Sequence, residues 1–122
     1  MGQSLKVAGV ITLKIDGKQY PAKGNFTYNL GTSKREAVMG ADGFHGFKET
    51  PQVAYVEGEI TDRMDIDLKS FVETEDATIL LQMANGKSVV FRNAYYAGDG
   101  NGETEEGKIG IRFEAPSGEE IK

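Results

Sequence analysis

The sequence predicts a mainly β protein: an antiparallel β-sandwich or small barrel of about six strands, with one short α-helix and a long loop between the second and third strands. Three observations predict it. Apolar residues recur at every second position in several runs, Asp-Gly and Asn-Gly turns join those runs, and no βαβ alternation interrupts them. At 122 residues the chain is sized for a single domain spanning 1–122.

The first run places Val7, Ile11, Leu13 and Ile15 on one face, the period-two signature of a half-buried strand. Asp16 and Gly17 then tolerate the positive dihedrals of a tight hairpin. The second run, Gln19 to Tyr28, puts Tyr20, Ala22, Phe26 and Tyr28 on one side, so that Leu13 opposes Tyr20 and Val7 opposes Phe26. Periodicity vanishes from 29 to 52, where glycines and Pro51 punctuate the chain, and the segment reads as a long loop. It carries Val38, Met39, Phe44 and Phe47, a composition suited to docking rather than to tethering, and the pattern fits docking onto its own domain as well as onto another. Val53 to Ile60 is the third strand. Thr61 and Asp62 are capping types, and Met64, Leu68, Phe71 and Val72 follow at helical spacing, which predicts a short helix near 62–73. Residues 77–84 and 87–96 flank Asn85-Gly86 as a second hairpin, with a bulge that pairs Leu81 with Phe91 and Met83 with Val89. After a polar loop from Gly98 to Glu106, Ile109, Ile111 and Phe113 mark the last strand, and the polar tail 116–122 is expected to fray.

Composition narrows the function classes. With no cysteine and one histidine, the chain has no disulfide, no thiolate zinc site and no cysteine nucleophile. Its 14 basic and 19 acidic residues give a net charge of −5, which argues against a surface that grips phosphates. No run approaches the roughly 20 apolar residues of a membrane helix, and residues 1–6 lack the apolar core of a secretory signal, so a soluble chain retained in the cytoplasm is the expectation. His45 lies near Asp42 and Glu49, yet a metal site there needs ligands from elsewhere. The run from Asp99 to Glu103 imitates the start of a calcium loop, but Thr104 stands where glycine is needed and Gly110 where a bidentate glutamate is needed. No serine sits in a nucleophile-elbow setting, and no cofactor site is evident. Lys34, Arg35 and Glu36 read either as a solvated charge cluster or as half of an intersubunit ion pair. Short β-segments with only Pro21, Pro51 and Pro116 as blockers leave sheet edges suited to pairing with another chain.

In order and spacing, several blocks resemble the tail tube proteins of Mu-like contractile-tailed bacteriophages. They are Gly24-Asn25-Phe26-Thr27-Tyr28, Lys34 to Gly40, His45 to Val53, Glu57 to Asp62, Ala77-Thr78-Ile79, Ala84 to Lys87 and Glu105 to Ile109. The resemblance implies a structural virion protein, not an enzyme and without a cofactor, assembled in the bacterial host cytoplasm into the phage tail. Its subunits would form hexameric rings stacked into a hollow tube inside a contractile sheath. The implied partners are further copies of the chain, the sheath protein, the baseplate and the tail terminator, with tape-measure protein and DNA passing through the lumen.

The same resemblance assigns the segment 29–52 to contacts between subunits and rings, through Lys34, Arg35, Glu36, Val38, Met39, Phe44, His45 and Phe47. Six copies at −5 give about −30 per ring, and a wall that repels phosphate cannot trap sliding DNA. Glu57, Glu59, Glu103, Glu105 and Glu106 are the expected acidic lumen residues. Two other readings compete: the inner-tube subunit of a phage-derived contractile injection particle, and a monomeric ligand-binding β-sandwich.

Overall fold

The computed structural model describes residues 11–121. The expected pairing of Val7 with Phe26 therefore lies outside the described residues. The strands are β1 (Thr12–Ile15), β2 (Lys18–Asn29), β3 (Lys34–Gly40), β4 (Gly43–Thr50), β5 (Ala54–Thr61), β6 (Ala77–Gln82), β7 (Ser88–Tyr96), β8 (Gly102–Glu103), β9 (Lys108–Ala115) and β10 (Gly118–Ile121). Among the described residues one helix, α1 (Leu68–Val72), precedes β6.

The strands run in the order β10-β7-β6-β1-β2-β5-β9-β8, and a further β7–β9 pairing closes the sheet on itself. The result is an antiparallel barrel of six strands, β1, β2, β5, β9, β7 and β6. These are the six period-two runs of the sequence. Closure joins β7 to β9 at Tyr95↔Glu114 and Tyr96↔Phe113, and leaves the short strands β10 and β8 at the ends of the strand order. The interior is apolar throughout, with Leu13, Ile60, Ile79, Leu81, Phe91 and Phe113 each almost completely buried. Burial of that surface is the main stabilising term.

The first hairpin has the expected register, Leu13↔Tyr20, with Asp16 and Gly17 both at positive φ. Where β2 passes β5, the pairing jumps from Lys23↔Glu59 to Thr27↔Glu57, and the extra residues bring Phe26 over Gly58. A Cβ on Gly58 would come within 2.7 Å of that ring, so Phe26 fills the inward place that Gly58 leaves empty between Val56 and Ile60.

Four local expectations need correction. The second hairpin pairs Leu81↔Val89 and Ile79↔Phe91, not Leu81 with Phe91. Its loop has three residues, Ala84 to Gly86, with Gly86 left-handed at φ 93°, which keeps the same apolar side chains facing inward by a different offset. The helix is capped by Asp67, whose carboxylate accepts from the Lys69 backbone N–H at 3.0 Å and from the Ser70 hydroxyl at 3.0 Å. Thr61 and Asp62 are not its caps, and Met64, outside the helix, is fully exposed while Phe71 packs inward. The tail does not fray as a free strand end. Gly118–Ile121 continues the β9 ladder along β7 beyond Pro116, held also by Lys87–Glu120 and Arg92–Glu119 ion pairs of 3.0 and 2.9 Å.

The largest correction concerns 29–52. It is not a structureless loop but a second sheet, the β3–β4 hairpin, with Ala41 and Asp42 as its turn. No residue of β3 is shielded from solvent, and the two strands pack on each other rather than on the barrel. A strand pair with both faces wet has no buried face to impose alternation, so the sequence shows no period.

Candidate functional site: a projecting hairpin and a charged barrel wall

In an antiparallel pair, directly opposed residues share a face. The register places Ala37 opposite Phe47 and Met39 opposite Phe44, with His45 as the extra residue of a bulge beside Gly46. One face of the hairpin is therefore apolar. Met39, Phe44 and Phe47 are 65, 67 and 56% exposed, so among the described residues this face covers nothing. The Arg35 guanidinium lies 5.0 Å from the Phe47 ring centre and 3.4 Å from Glu49, which extends the face towards the barrel with a stacked cation. Lys34, Glu36 and Val38 point to the opposite side, where the Thr50 hydroxyl donates to Glu36 at 2.9 Å.

At the tip, the His45 ring lies over Gly40 and its Nε2 is 2.6 Å from Asp42 Oδ1. A Cβ on Gly40 would meet that ring at 2.6 Å, so this position accepts no larger residue without moving the histidine. The hydrogen bond from His45 holds the Asp42 carboxyl below its ordinary value of 3.8. A depressed carboxyl contributes to the tip only while ionised, so its contribution is complete above the unfolded value and lost as pH falls through the folded one. An NMR titration of the Asp42 carboxyl should show a midpoint below 3.8, returning towards it in His45→Ala. A midpoint unchanged by that substitution contradicts the contact.

The acidic residues singled out from the sequence meet on the outside of β5 and β9. Glu57 and Glu59 alternate with the buried Val56 and Ile60 and so face away from the barrel core. Each has a cation on β9: Arg112, directly opposite, at 3.4 Å from Glu57, and Lys108, diagonally placed, at 3.0 Å from Glu59 and 3.2 Å from Glu106. The bonds from Glu59 and Glu106 raise the Lys108 ammonium well above its ordinary value and keep it charged. Glu103 sits in β8 directly across from Lys108, and Glu105 is exposed in the adjoining turn.

The depths differ in a useful way. The Lys108 and Arg112 side chains are 17 and 28% exposed, whereas their partners Glu59, Glu106 and Glu57 are 41, 59 and 47% exposed. In these three pairs the cation is the more buried partner, whereas Glu114, 22% exposed, lies deeper than Arg112. Sequence reasoning found the acids but missed Lys108 and Arg112, although their spacing of four along the last strand put both on the outward face. Arg112 also stacks on Tyr55, 4.1 Å from the ring centre, and bonds Glu114 through two nitrogens at 3.0 and 3.1 Å. Among the described residues no group of three or more His, Cys, Asp or Glu is placed to hold a metal ion, and no helix is long and apolar enough to cross a membrane.

No curated protein matches the chain. The fold is shared with solved structures, among them three of contractile or related systems. The sheath/tube terminator of an extracellular contractile injection system aligns at a TM-score of 0.65 and 10% identity, over 93% of this chain and 94% of that one. The sheath-tube complex of the same kind of system gives 0.60 and 10%, over 91 and 87%. Hcp1 from Flavobacterium johnsoniae gives 0.57 and 15%, over 91 and 94%. At the level of sequence, the family model for the phage tail tube protein matches residues 4–120. The chain belongs to the phage tail tube protein family, and is a structural tail tube subunit.

Proposed function

We propose that copies of this chain form hexameric rings that stack into a hollow tube within a contractile sheath, and that the β3–β4 hairpin carries the contact between rings. The observation behind this reading is the hairpin itself: an ordered strand pair whose apolar face has no partner among the described residues. Lys34, Arg35, Glu36, Val38, Met39, Phe44, His45 and Phe47 are its contact residues. The charged wall of β5, β8 and β9, with Glu57, Glu59, Glu103, Glu105 and Glu106, faces the lumen. Recessed cations under projecting carboxylates give a bore that is cohesive across its strands and repels phosphate at its surface. Tape-measure protein and DNA then pass without being held. Baseplate and terminator close the two ends of the tube.

The structural likeness to tubes of contractile injection systems supports a second reading, the same subunit in a particle that carries no genome. Neighbouring genes for a capsid and a packaging terminase separate the two. For assembly itself, sedimentation velocity over a rising concentration series is expected to show growth from single chains to rings and longer particles. A single slow species at every concentration overturns the proposal.

A further inference from the structure

We infer that the C-terminal strand β10 is a latch that aims the hairpin: a backbone hydrogen bond and a close backbone seat at Gly118 fix the direction in which β3 and β4 leave the barrel. This rests on the reading of the hairpin as the contact between rings and names the part of the chain that controls it. The two hairpin strands pack on each other rather than on the barrel, so their angle is decided where the chain leaves at 29–33 and returns at 51–53. At about 3.3 Å per residue, the seven residues of β3 make a lever of roughly 23 Å, and a swing of roughly 10° at the root moves the tip by about 4 Å. A close-packed contact made by the hairpin face tolerates little of that.

The root is held from two sides. Within it, Gly31 takes a left-handed φ of 84°, its N–H donates to Asn29 Oδ1 at 2.8 Å, and its bare backbone lies against Ala54, where an added Cβ would meet the alanine at 3.0 Å. Gln52 Nε2 donates to the Thr32 carbonyl at 2.9 Å and ties the outgoing segment to the returning one. From outside, the Gly118 N–H donates to the Leu30 carbonyl at 2.9 Å. Of these bonds, only that from Gly118 ties the root to a strand remote from it. Gly118 is also a position where no side chain fits. A Cβ there would come within 2.7 Å of the Phe91 ring and 3.2 Å of Leu30, and Phe91, 1% exposed, has no room to give way. The bare backbone lets β10 lie close enough to hold Leu30, which itself packs against the core.

The rest of β10 keeps its place without joining the core. Its residues pair with β7 from Gly118↔Phe91 to Ile121↔Ser88, Glu120 bonds Lys87 at 3.0 Å, Glu119 bonds Arg92 at 2.9 Å, and Ile121 is half exposed. A short edge strand held by backbone bonds and two surface ion pairs opens far more easily than a strand of the closed barrel. It therefore aims the hairpin while remaining separable from the barrel's own stability.

The chain has no cysteine, so Ala41→Cys on the hairpin tip and Gln82→Cys on β6 carry two nitroxide labels without background. Pulsed electron spin resonance on dilute full-length protein reads the distance between them. One narrow distribution is expected for the parent chain. In Gly118→Val, whose side chain meets Phe91 and Leu30, the distribution should widen by about 4 Å or more. Parental width in a cooperatively melting Gly118→Val overturns the latch. Where that variant does not melt cooperatively, Glu119→Lys combined with Glu120→Lys decides, since it reverses both ion pairs and touches no core residue: widening upholds the latch and parental width overturns it. Unlabelled Gly118→Val should also need roughly tenfold more protein to assemble, because a hairpin not held in its direction must be ordered on contact. An unchanged requirement beside a widened distribution overturns the latch's part in assembly. Failure of the hairpin reading shows separately: a variant with Met39, Phe44 and Phe47 all serine that assembles like the parent overturns that reading and leaves the measured distances untouched.

Discussion

Replacing Met39, Phe44 and Phe47 together by serine is expected to abolish stacking while leaving the barrel's thermal transition in place. The three side chains form most of the apolar hairpin face and are more than half exposed, so their loss removes no packing from the core. Surface changes of this kind usually move stability by less than about 0.5 kcal/mol. The effect on assembly is of a different size. Covering the exposed part of each side chain contributes on the order of 1 kcal/mol. Sixfold repetition turns three such contributions into roughly 15 to 20 kcal/mol per ring contact. Few non-covalent assemblies survive a loss of that size. The check is sedimentation beside a thermal melt monitored by circular dichroism: slow single particles with an unchanged midpoint. A variant that stacks normally rules out the hairpin as the contact, and one that no longer melts cooperatively assigns these residues to the fold.

The second large effect lies in the core. Phe113 is 1% exposed and receives Tyr96 edge-on at 5.3 Å and Phe71 at 6.3 Å between ring centres. It therefore couples β7, which closes the barrel, to α1. Phe113→Ala should cost about 3 to 5 kcal/mol, a large part of the 5 to 15 kcal/mol that holds a domain of this size together. The expected fall in melting temperature is roughly 10 to 20 °C. Phe113→Leu should cost less than about 1.5 kcal/mol, because it keeps most of the volume. Chemical denaturation of the two variants distinguishes a loss of packing from a loss of the aromatic contact: equal losses contradict the packing explanation.

These two substitutions separate what the sequence made legible from what it did not. The barrel strands were visible, because Leu13 and Phe113 alternate with polar neighbours under a buried face, and the apolar runs around Ile79 and Phe91 flank an Asn-Gly turn. The turns at Gly17 and Gly86 were visible for the same local reason, since each needs a positive φ. The β3–β4 hairpin was not. Its residues face solvent on both sides, its glycines read as breaks, and the pairing that orders it is carried by backbone groups that leave no trace in side-chain type. Met39, Phe44 and Phe47 still stood out as apolar residues suited to docking, but the pattern did not say onto what; only the family resemblance pointed to other subunits. Closure of the barrel was equally hidden. It depends on two residue pairs between β7 and β9, far apart in sequence, and on Asn93 taking a left-handed conformation that returns Ala94 to the core. The cations beneath Glu57 and Glu59 were legible in principle, but only once β5 and β9 were known to be neighbours.

Cryo-electron microscopy of the concentrated protein tests the central claim most directly. The account predicts hollow tubes of stacked six-membered rings, with every hairpin directed towards the same end and its aromatic face covered by the next ring. Isolated barrels with bare hairpins at millimolar concentration, or fibres without a bore, contradict it.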